Sequence, residues 1–233
     1  QLPTAPEMPA RLKDVILANA QGNPLFIVEM AHALIENYLV YDPVQEVYRA
    51  RTDLDRVQVP DTVSRVILSR LDRLDESSRN MLKVASVIGR TFQQWLLHSI
   101  YPYETAVQEL EAHLLDLCDK DLLDRSEIMY LFRHVMTREV AYESLLYADR
   151  RAFHQKIGDS IVAQQGAHLK EYLEVLAEHY TLAENWPQAL QYQLQAGRRA
   201  QAVYANEDAI HRFQQALQIA DRLPDSEAMT IEI

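Results

Sequence analysis

The chain has 233 residues, of which 48% are hydrophobic and 24% are charged, and only five glycines and nine prolines are present. This composition favours helices over strands and tight turns. The formal charge of -11 argues against a nucleic-acid partner, and a single cysteine, Cys118, excludes an internal disulfide. The first residues, QLPTAPEMPA, lack the features of a signal peptide, and no apolar stretch is long enough to cross a membrane. We therefore expect a cytoplasmic protein, and the start at Gln1 rather than Met predicts a piece of a longer chain.

Two helices and a hairpin are predicted before residue 60. A short helical pattern over residues 12–19 stops at Gly22-Asn23-Pro24, where glycine ends one helix and proline opens the next. The second helix has an apolar face made of Phe26, Ile27, Met30, Ala33 and Leu34. Residues 38–51 are rich in β-formers and are interrupted by Asp42-Pro43, which indicates a small hairpin.

Two helix starts follow in the sequence. Pro60-Asp61-Thr62 is a helix start signal, because Asp or Thr caps the first amides of a helix. Asp75, followed by Ser78, opens another helix that ends at Gly89. This second helix is apolar nearly all round, so we expect it to be central to a core.

A wing-like hairpin is predicted after two further helices. The helices are predicted at residues 92–100 and 104–118, and the hairpin strands at residues 122–125 and 129–132. Three helices followed by two strands is the element order of a winged-helix domain. The sequence therefore predicts such a domain here.

The last part of the chain is predicted to be helical and repetitive. A long helical stretch covers residues 135–164, with a break near Leu146. From Glu171 onward, small residues recur at the offsets expected of tetratricopeptide repeats: Ala177, Ala189, Ala196, Gly197 and Ala209. Small residues at these positions allow helices to approach closely, which predicts stacked helical pairs.

Four segments together carry a family resemblance: VPDTVSRVILSRLDRL, ASVIGRTF, YLFRHVMTREVAYESLL and ANEDAIHRFQQAL. They resemble the regulatory region of signal-transduction ATPases with numerous domains (STAND), in the branch linked to class III adenylate or guanylate cyclases. The resemblance runs over residues 22–223 and implies a phosphate-loop ATPase core, a lid, a winged helix and repeats in that order. The expected class is mainly α with small β-hairpins, with a helical lid and hairpin at 1–59, a winged-helix domain at 60–147 and tetratricopeptide-like repeats at 148–233.

The resemblance assigns Pro24 to the adenine side of a nucleotide site in a parent protein that includes the ATPase core. Gly22-Asn23-Pro24 matches the family's Gly-x-Pro motif, whose proline lies against the adenine base. From the local residues alone, the tripeptide is a plain joint between two helices. Both interpretations stay open.

The resemblance also assigns His134 to the phosphate side of bound ADP. It matches the histidine of the family's Met-His-Asp motif, although Val135 stands where the acid is expected. The alternative is a partly buried structural histidine at the start of a helix. Arg133 and Arg138 nearby either contact phosphate or balance neighbouring glutamates.

The chain carries no catalytic motif of its own. None of the five glycines is followed by Lys, so the phosphate-binding loop Gly-x-x-x-x-Gly-Lys-Ser/Thr is absent, and no metal-binding His-Glu-x-x-His occurs. We therefore expect no enzyme activity, no metal and no cofactor in this chain, with ATP or ADP bound only in the parent. The helix predicted at residues 104–118 and the turn and wing after it contain eight acidic residues and only two basic residues, Lys120 and Arg125. This excess of negative charge disfavours DNA binding.

The function expected from the resemblance is non-catalytic. The chain would relay the ADP/ATP state and partner binding to an output domain. Its partners would be the ATPase core and output domain of the same parent, and a protein or peptide on the repeats, with no nucleic acid and no membrane. The first alternative is an autonomous helical scaffold that binds a protein partner without nucleotide. The second alternative is a DNA-binding transcription-regulator module.

Overall fold

The computed structural model describes residues 24–42, 47–50 and 62–223. The predicted helix at 12–19, Gly22-Asn23, Pro43, Pro60-Asp61 and the tail after residue 223 lie outside the described residues. The predicted mainly helical class is confirmed, since the described residues form ten α-helices, a two-stranded sheet and a three-stranded antiparallel sheet. The chain divides into two compact units, Gln1–Arg79 and Asn80–Ile233.

The first unit contains the predicted hairpin and the helices on either side of it. Its described elements are α1 (Pro24–Tyr38), β1 (Leu39–Asp42), β2 (Val47–Ala50) and α2 (Val63–Leu71). The hairpin is confirmed, because β1 pairs antiparallel with β2 and Leu39 lies opposite Ala50. The predicted cap is also confirmed, since Thr62 Oγ1 accepts a hydrogen bond from the Arg65 amide at 3.3 Å.

A buried ion pair joins α1 to α2 in the first unit. Arg70 donates from a terminal guanidinium nitrogen to Glu29 Oε2 at 2.6 Å, and both side chains are almost fully buried. Apolar side chains surround the contact between the two helices: Phe26, Met30, Val66, Ile67 and Leu71. A buried charge that lost its partner would be strongly destabilising, so this pair fixes how α1 packs on α2.

Helix α3 (Glu76–Ile88) begins where the sequence predicts and ends at a glycine. Asp75 Oδ1 accepts from the Ser78 amide at 2.9 Å, which caps the helix start. Its apolar side chains are buried, as predicted for a central helix: Met81, Leu82, Val84, Ala85 and Val87. Gly89 then adopts φ 152, a conformation that residues with a side chain rarely adopt.

A three-stranded sheet lies in the second unit, where the sequence predicts two strands. The elements are β3 (Thr91–Phe92), α4 (Gln94–Ile100), α5 (Val107–Asp119), β4 (Leu123–Arg125) and β5 (Tyr130–Phe132). The strand order is β3-β5-β4, with both pairings antiparallel. The predicted hairpin of β4 and β5 is confirmed, and β3 adds a strand at its other edge.

Two predicted helix starts are wrong in this region. The helix predicted from residue 92 begins at Gln94, because Phe92 pairs with Tyr130 in the sheet. The Phe92 ring is buried and stacks on the Tyr130 ring, with centroids 5.8 Å apart, so its packing partners lie across the sheet. The helix predicted from residue 104 begins at Val107.

The remaining residues form helices that pack one on the next. They are α6 (Val135–Glu143), α7 (Tyr147–Gln165), a 3-10 helix (Gly166–Tyr172), α8 (Leu173–Leu182), α9 (Trp186–Ala202) and α10 (Asn206–Ala220). The predicted break near Leu146 is confirmed, because α6 ends at Glu143 and α7 begins at Tyr147. Helix α7 packs on α8, α8 on α9, and α9 on α10. Among the described helices, none combines the length and apolar composition needed to traverse a bilayer.

Two glycines allow these helices to approach closely. A Cβ placed on Gly158 of α7 would lie 2.7 Å from the Tyr180 ring of α8. A Cβ on Gly197 of α9 would lie 2.7 Å from the Phe213 ring of α10. The predicted small residues are buried at the same contacts: Ala177, Ala189, Ala196, Gly197 and Ala209. The ring-on-glycine contacts therefore set the spacing of the helix pairs.

The turns after α8 and α9 have the same geometry. Glu184 and Tyr204 adopt the left-handed conformation, with φ of 57 and 61. In each turn the amide of the following residue bonds five residues back, from Asn185 to the Tyr180 carbonyl and from Ala205 to the Ala200 carbonyl. This is the hydrogen-bond pattern of a Schellman helix end. Both turns thus redirect the chain in the same way.

Candidate functional site

Pro24 lies at the first position of α1 and its side chain is exposed. A proline fits this position because the first amide of a helix has no intrahelical partner and the ring fixes a helical φ. The sequence predicts this helix start correctly. Contact with adenine stays a prediction of the resemblance.

His134 lies between β5 and α6, at the N-cap of that helix. Its backbone is extended, with φ -124 and ψ 136, and its imidazole is half-buried. The backbone carbonyl of His134 accepts from the Thr137 amide at 3.1 Å, whereas the side chain accepts no capping hydrogen bond. The helix start is therefore bonded through the backbone of His134, and the imidazole takes no part in it. Pro24 belongs to the first unit and His134 to the second.

The two arginines near His134 have partners other than the glutamates that the sequence suggests. Arg133 binds Asp121 and also donates to Asp124 Oδ1 at 2.6 Å, which ties the end of β5 to the start of the wing. Arg138 donates from Nε to the Ser86 carbonyl at 3.0 Å, and its guanidinium lies 5.6 Å from the Tyr142 ring centroid. Arg133 is thus held by carboxylates, whereas Arg138 is held by a neutral carbonyl and an aromatic face.

The two basic residues that follow α5, Lys120 at its C-terminal cap and Arg125 in β4, are paired with acids. Lys120 Nζ lies 2.6 Å from Asp116, and an Arg125 guanidinium nitrogen lies 3.0 Å from Glu111. A groove-entering helix needs basic side chains that are available to phosphate. These contacts add to the acidic composition of α5 as an argument against DNA binding by this surface.

A pair of buried histidines connects α7 to α8. The Nδ1 atoms of His154 and His179 lie 2.8 Å apart, which is hydrogen-bond distance. His154 Nε2 lies 3.1 Å from the Tyr142 hydroxyl of α6. The two histidines are only 2% and 5% exposed, so three helices are joined by polar contacts inside the core.

Both imidazoles of this histidine pair are held in the neutral form. Burial, with a smaller contribution from the nearby Arg138 charge, lowers the pKa of His154 to about 4. Burial also lowers the pKa of His179 to about 3, with additional repulsion from His154 and Arg138. A neutral imidazole has one N–H donor and one acceptor nitrogen, so one Nδ1–H donates to the other Nδ1.

A cleft of about 550 Å³ opens beside the histidine pair, within the second unit. We call it the His–Arg cleft. One wall comes from the end of α3, β3 and the start of α4, and the other from α7 and α8. Its apolar lining includes Val87, Ile88, Trp95, Leu96, Ile161, Val175 and Leu182. Its polar lining includes Arg90, Gln93, Arg138, His154, Glu178 and His179.

Two segments that carry the family resemblance meet at this cleft. Val87 to Phe92 belong to the ASVIGRTF segment, and Arg138 belongs to the YLFRHVMTREVAYESLL segment. The hydrogen bond from Arg138 to the Ser86 carbonyl joins them directly. These two segments thus come together in the second unit around one arginine.

Sequence reasoning did not find the histidine pair or the cleft. His154 and His179 are 25 residues apart and lie on different helices, and no ligand spacing links them. The signal that was available is indirect, because a polar residue at a core position of each helix requires a polar partner. In the described ranges, no group of three or more His, Cys, Asp or Glu side chains is placed to hold a metal ion. The chain matches no protein-family model, no curated protein and no solved structure.

Proposed function

We propose that this chain is a non-catalytic regulatory and partner-binding region of a STAND-type nucleotide-switch ATPase. In the off state it would hold ADP together with the ATPase core, through Pro24 on the adenine side and His134 on the phosphate side. Exchange of ADP for ATP would release this contact, and the helices at the end of the chain would receive the signal from a partner protein.

The observation that carries the proposal is the order of elements around the three-stranded sheet. A helix (α3), a short strand (β3), two helices (α4 and α5) and a two-stranded wing (β4 and β5) follow one another. Strand β3 pairs with the far strand of the wing. This is the order expected of a winged-helix domain. His134 directly follows the wing, at the position that the resemblance requires of a phosphate sensor.

Helices α8 to α10 support the partner-binding half of the proposal. The turns at Glu184 and Tyr204 share one geometry, and a ring packs on a glycine both between α7 and α8 and between α9 and α10, as expected of stacked helical pairs. Large apolar side chains on these helices and turns are exposed: Val175, Leu182, Val203, Tyr204, Ile210 and Leu217. A surface of this kind is typical of helical solenoids that bind a peptide or another domain.

The test is the rate at which ADP leaves the protein that contains this chain together with its ATPase core. His134→Ala removes the imidazole donor, and we expect ADP release to accelerate about tenfold, because a hydrogen bond to a charged group contributes roughly 1.5–3 kcal/mol. His168→Ala is the matched control, since His168 is an exposed histidine beside Glu171 on the 3-10 helix. Equal ADP release rates in the two variants and the unmodified protein would contradict a sensor role for His134.

The first alternative is a scaffold that binds a protein partner and never contacts nucleotide. It is favoured by the exposed apolar side chains of α8, of α10 and of the turn between α9 and α10, which require no nucleotide site. A phosphate-binding loop in the sequence before Gln1 supports the switch, and a parent without one supports the scaffold. The second alternative, DNA binding, predicts salt-sensitive association with duplex DNA, which the paired basic residues of α5 and the wing disfavour.

A further inference from the structure

The His–Arg cleft has the dimensions and lining of a small-molecule site. Its volume of about 550 Å³ lies within the roughly 300–1,000 Å³ typical of ligand pockets. Most of its walls are aliphatic or aromatic, with a few polar side chains converging from α6, α7 and α8. Such a combination favours a ligand with an apolar body and one polar group.

Arg138 is the polar group that most needs a partner. Among the described residues its guanidinium makes one hydrogen bond, from Nε to the Ser86 carbonyl, and lies over the Tyr142 ring, but it forms no ion pair. Burial, together with the Arg138 charge, lowers the pKa of both neighbouring imidazoles, so they stay neutral, and an imidazole offers no negative charge that could pair with a guanidinium. A half-buried guanidinium held in place by its Nε is well oriented to receive a planar anion on its remaining N–H groups.

The other charged side chains of the cleft leave this preference intact. Arg90 and Glu178 also line it, and both are exposed. The lining therefore carries two positive charges against one negative charge. A singly charged carboxylate neutralises this single excess positive charge. A phosphate dianion would exceed it and would also be repelled by the Glu178 carboxylate.

We propose that the His–Arg cleft binds a small organic monocarboxylate with an aromatic or branched aliphatic body. The carboxylate pairs with the terminal nitrogens of Arg138, and the apolar body lies against Trp95, Val175 and Leu182. All the residues that line the cleft belong to the second unit, so this ligand would contact that unit alone. The inference does not depend on nucleotide binding by the parent protein.

The first experiment leaves every residue that lines the cleft unchanged. The probe is 8-anilinonaphthalene-1-sulfonate, a singly charged aromatic anion whose emission rises in an apolar site. Trp95 lines the cleft and Trp186 is the other tryptophan, so Trp186→Phe makes Trp95 the sole energy donor to the probe. We expect one probe site that accepts energy from Trp95 and is emptied by phenylacetate or indole-3-acetate. The neutral amides of the same acids should compete about tenfold less well or worse.

The second experiment tests the arginine. Arg138→Gln should weaken binding of the probe and of phenylacetate about tenfold, because the charge-assisted hydrogen bonds are lost. Arg151→Gln is the matched control, since Arg151 pairs with Glu184 outside the cleft. Circular dichroism of each variant establishes that it is folded.

Three results would overturn the inference. Acid and amide competing equally would remove the role of the carboxylate. A probe site that receives no energy from Trp95 would place binding elsewhere. Peptides with a free C-terminus that displace the probe better than any small acid would identify the ligand as a protein segment. Loss of nucleotide sensing in the parent would leave all three results unchanged, so failure of the proposed function is distinguishable.

Discussion

The histidine pair makes the stability of the second unit depend on pH. Above pH 6.5 the imidazoles are neutral in both the folded and the unfolded chain, and they contribute no pH dependence. Below pH 6.5 the two histidines bind protons in the unfolded chain but not in the folded chain. The reason is that folding lowers the pKa of His154 to about 4 and that of His179 to about 3. The free energy of unfolding therefore falls as the pH decreases, and the loss ends only when the pH passes the folded-state pKa values.

The size of this effect follows from the two pKa values. A pH of 5 lies about 1.5 units below the ordinary pKa of an unfolded imidazole. Protonation of each histidine in the unfolded chain therefore lowers the free energy of unfolding by about 2 kcal/mol. Both folded imidazoles remain mainly neutral at that pH. The pair together should lower the free energy of unfolding by about 4 kcal/mol between pH 8 and pH 5.

The assay is urea unfolding at pH 8 and pH 5 for the unmodified chain and for His179→Asn. The asparagine amide occupies the position of Nδ1 and either donates to or accepts from His154, but it does not titrate. The variant should therefore lose about 2 kcal/mol less than the unmodified chain between the two pH values. His168→Asn, at an exposed histidine, should lose as much as the unmodified chain. Equal losses for His179→Asn and the unmodified chain would refute the reasoning.

Two further predictions, each with a matched second variant, concern a close helix contact and a buried hydroxyl. Gly197→Ala should lower the free energy of unfolding by about 1–2 kcal/mol despite the better helix propensity of alanine, because the added Cβ meets the Phe213 ring at 2.7 Å. Phe213→Leu in the same chain should recover part of the loss, and a Gly197→Ala chain that is more stable than the original would contradict the close contact. Tyr130→Phe should raise stability by about 1 kcal/mol in urea unfolding, since the Tyr130 hydroxyl is buried and, among the described residues, has no hydrogen-bond partner. Tyr142→Phe, which removes a hydroxyl bonded to His154, should lower stability by a similar amount.

Local signals in the sequence predict most helix starts correctly. Pro24, Thr62 and Asp75 each act through neighbours within three residues, as a fixed φ or a side chain that accepts from a nearby amide. The break near Leu146 and the hairpin strands are also encoded locally. The start of α4 is not, because Thr91 and Phe92 form a strand only by pairing with residues about forty positions later. A two-residue strand has no periodicity for sequence reasoning to detect.

The same difference separates the predicted site residues from the cleft. Pro24 and His134 come from a family resemblance, and the structure fixes their places at two helix starts. The contacts of Arg138 with Ser86, and of His154 with His179, join residues 52 and 25 positions apart. Gly158 shows why such contacts escape sequence reasoning, because nothing in the sequence around it indicates that it admits the Tyr180 ring of another helix.

The contacts from Tyr142 through His154 to His179 form a short hydrogen-bond chain, which has only two possible arrangements of donors and acceptors. If His154 donates from Nδ1 to His179, its Nε2 must accept from the Tyr142 hydroxyl. If His179 donates instead, His154 carries its proton on Nε2 and donates it to the Tyr142 oxygen. Donor and acceptor then exchange places in both hydrogen bonds. A group in the cleft that binds only one tautomer of His179 would therefore also fix the orientation of the Tyr142 hydroxyl. The ring of Tyr142 lies beneath the Arg138 and Arg150 guanidinium groups. The protonated nitrogens of His154 and His179 and the orientation of the Tyr142 hydroxyl are therefore coupled across α6, α7 and α8. A change of hydrogen-bond direction at one end of the chain requires the same change at the other end, without any movement of the backbone.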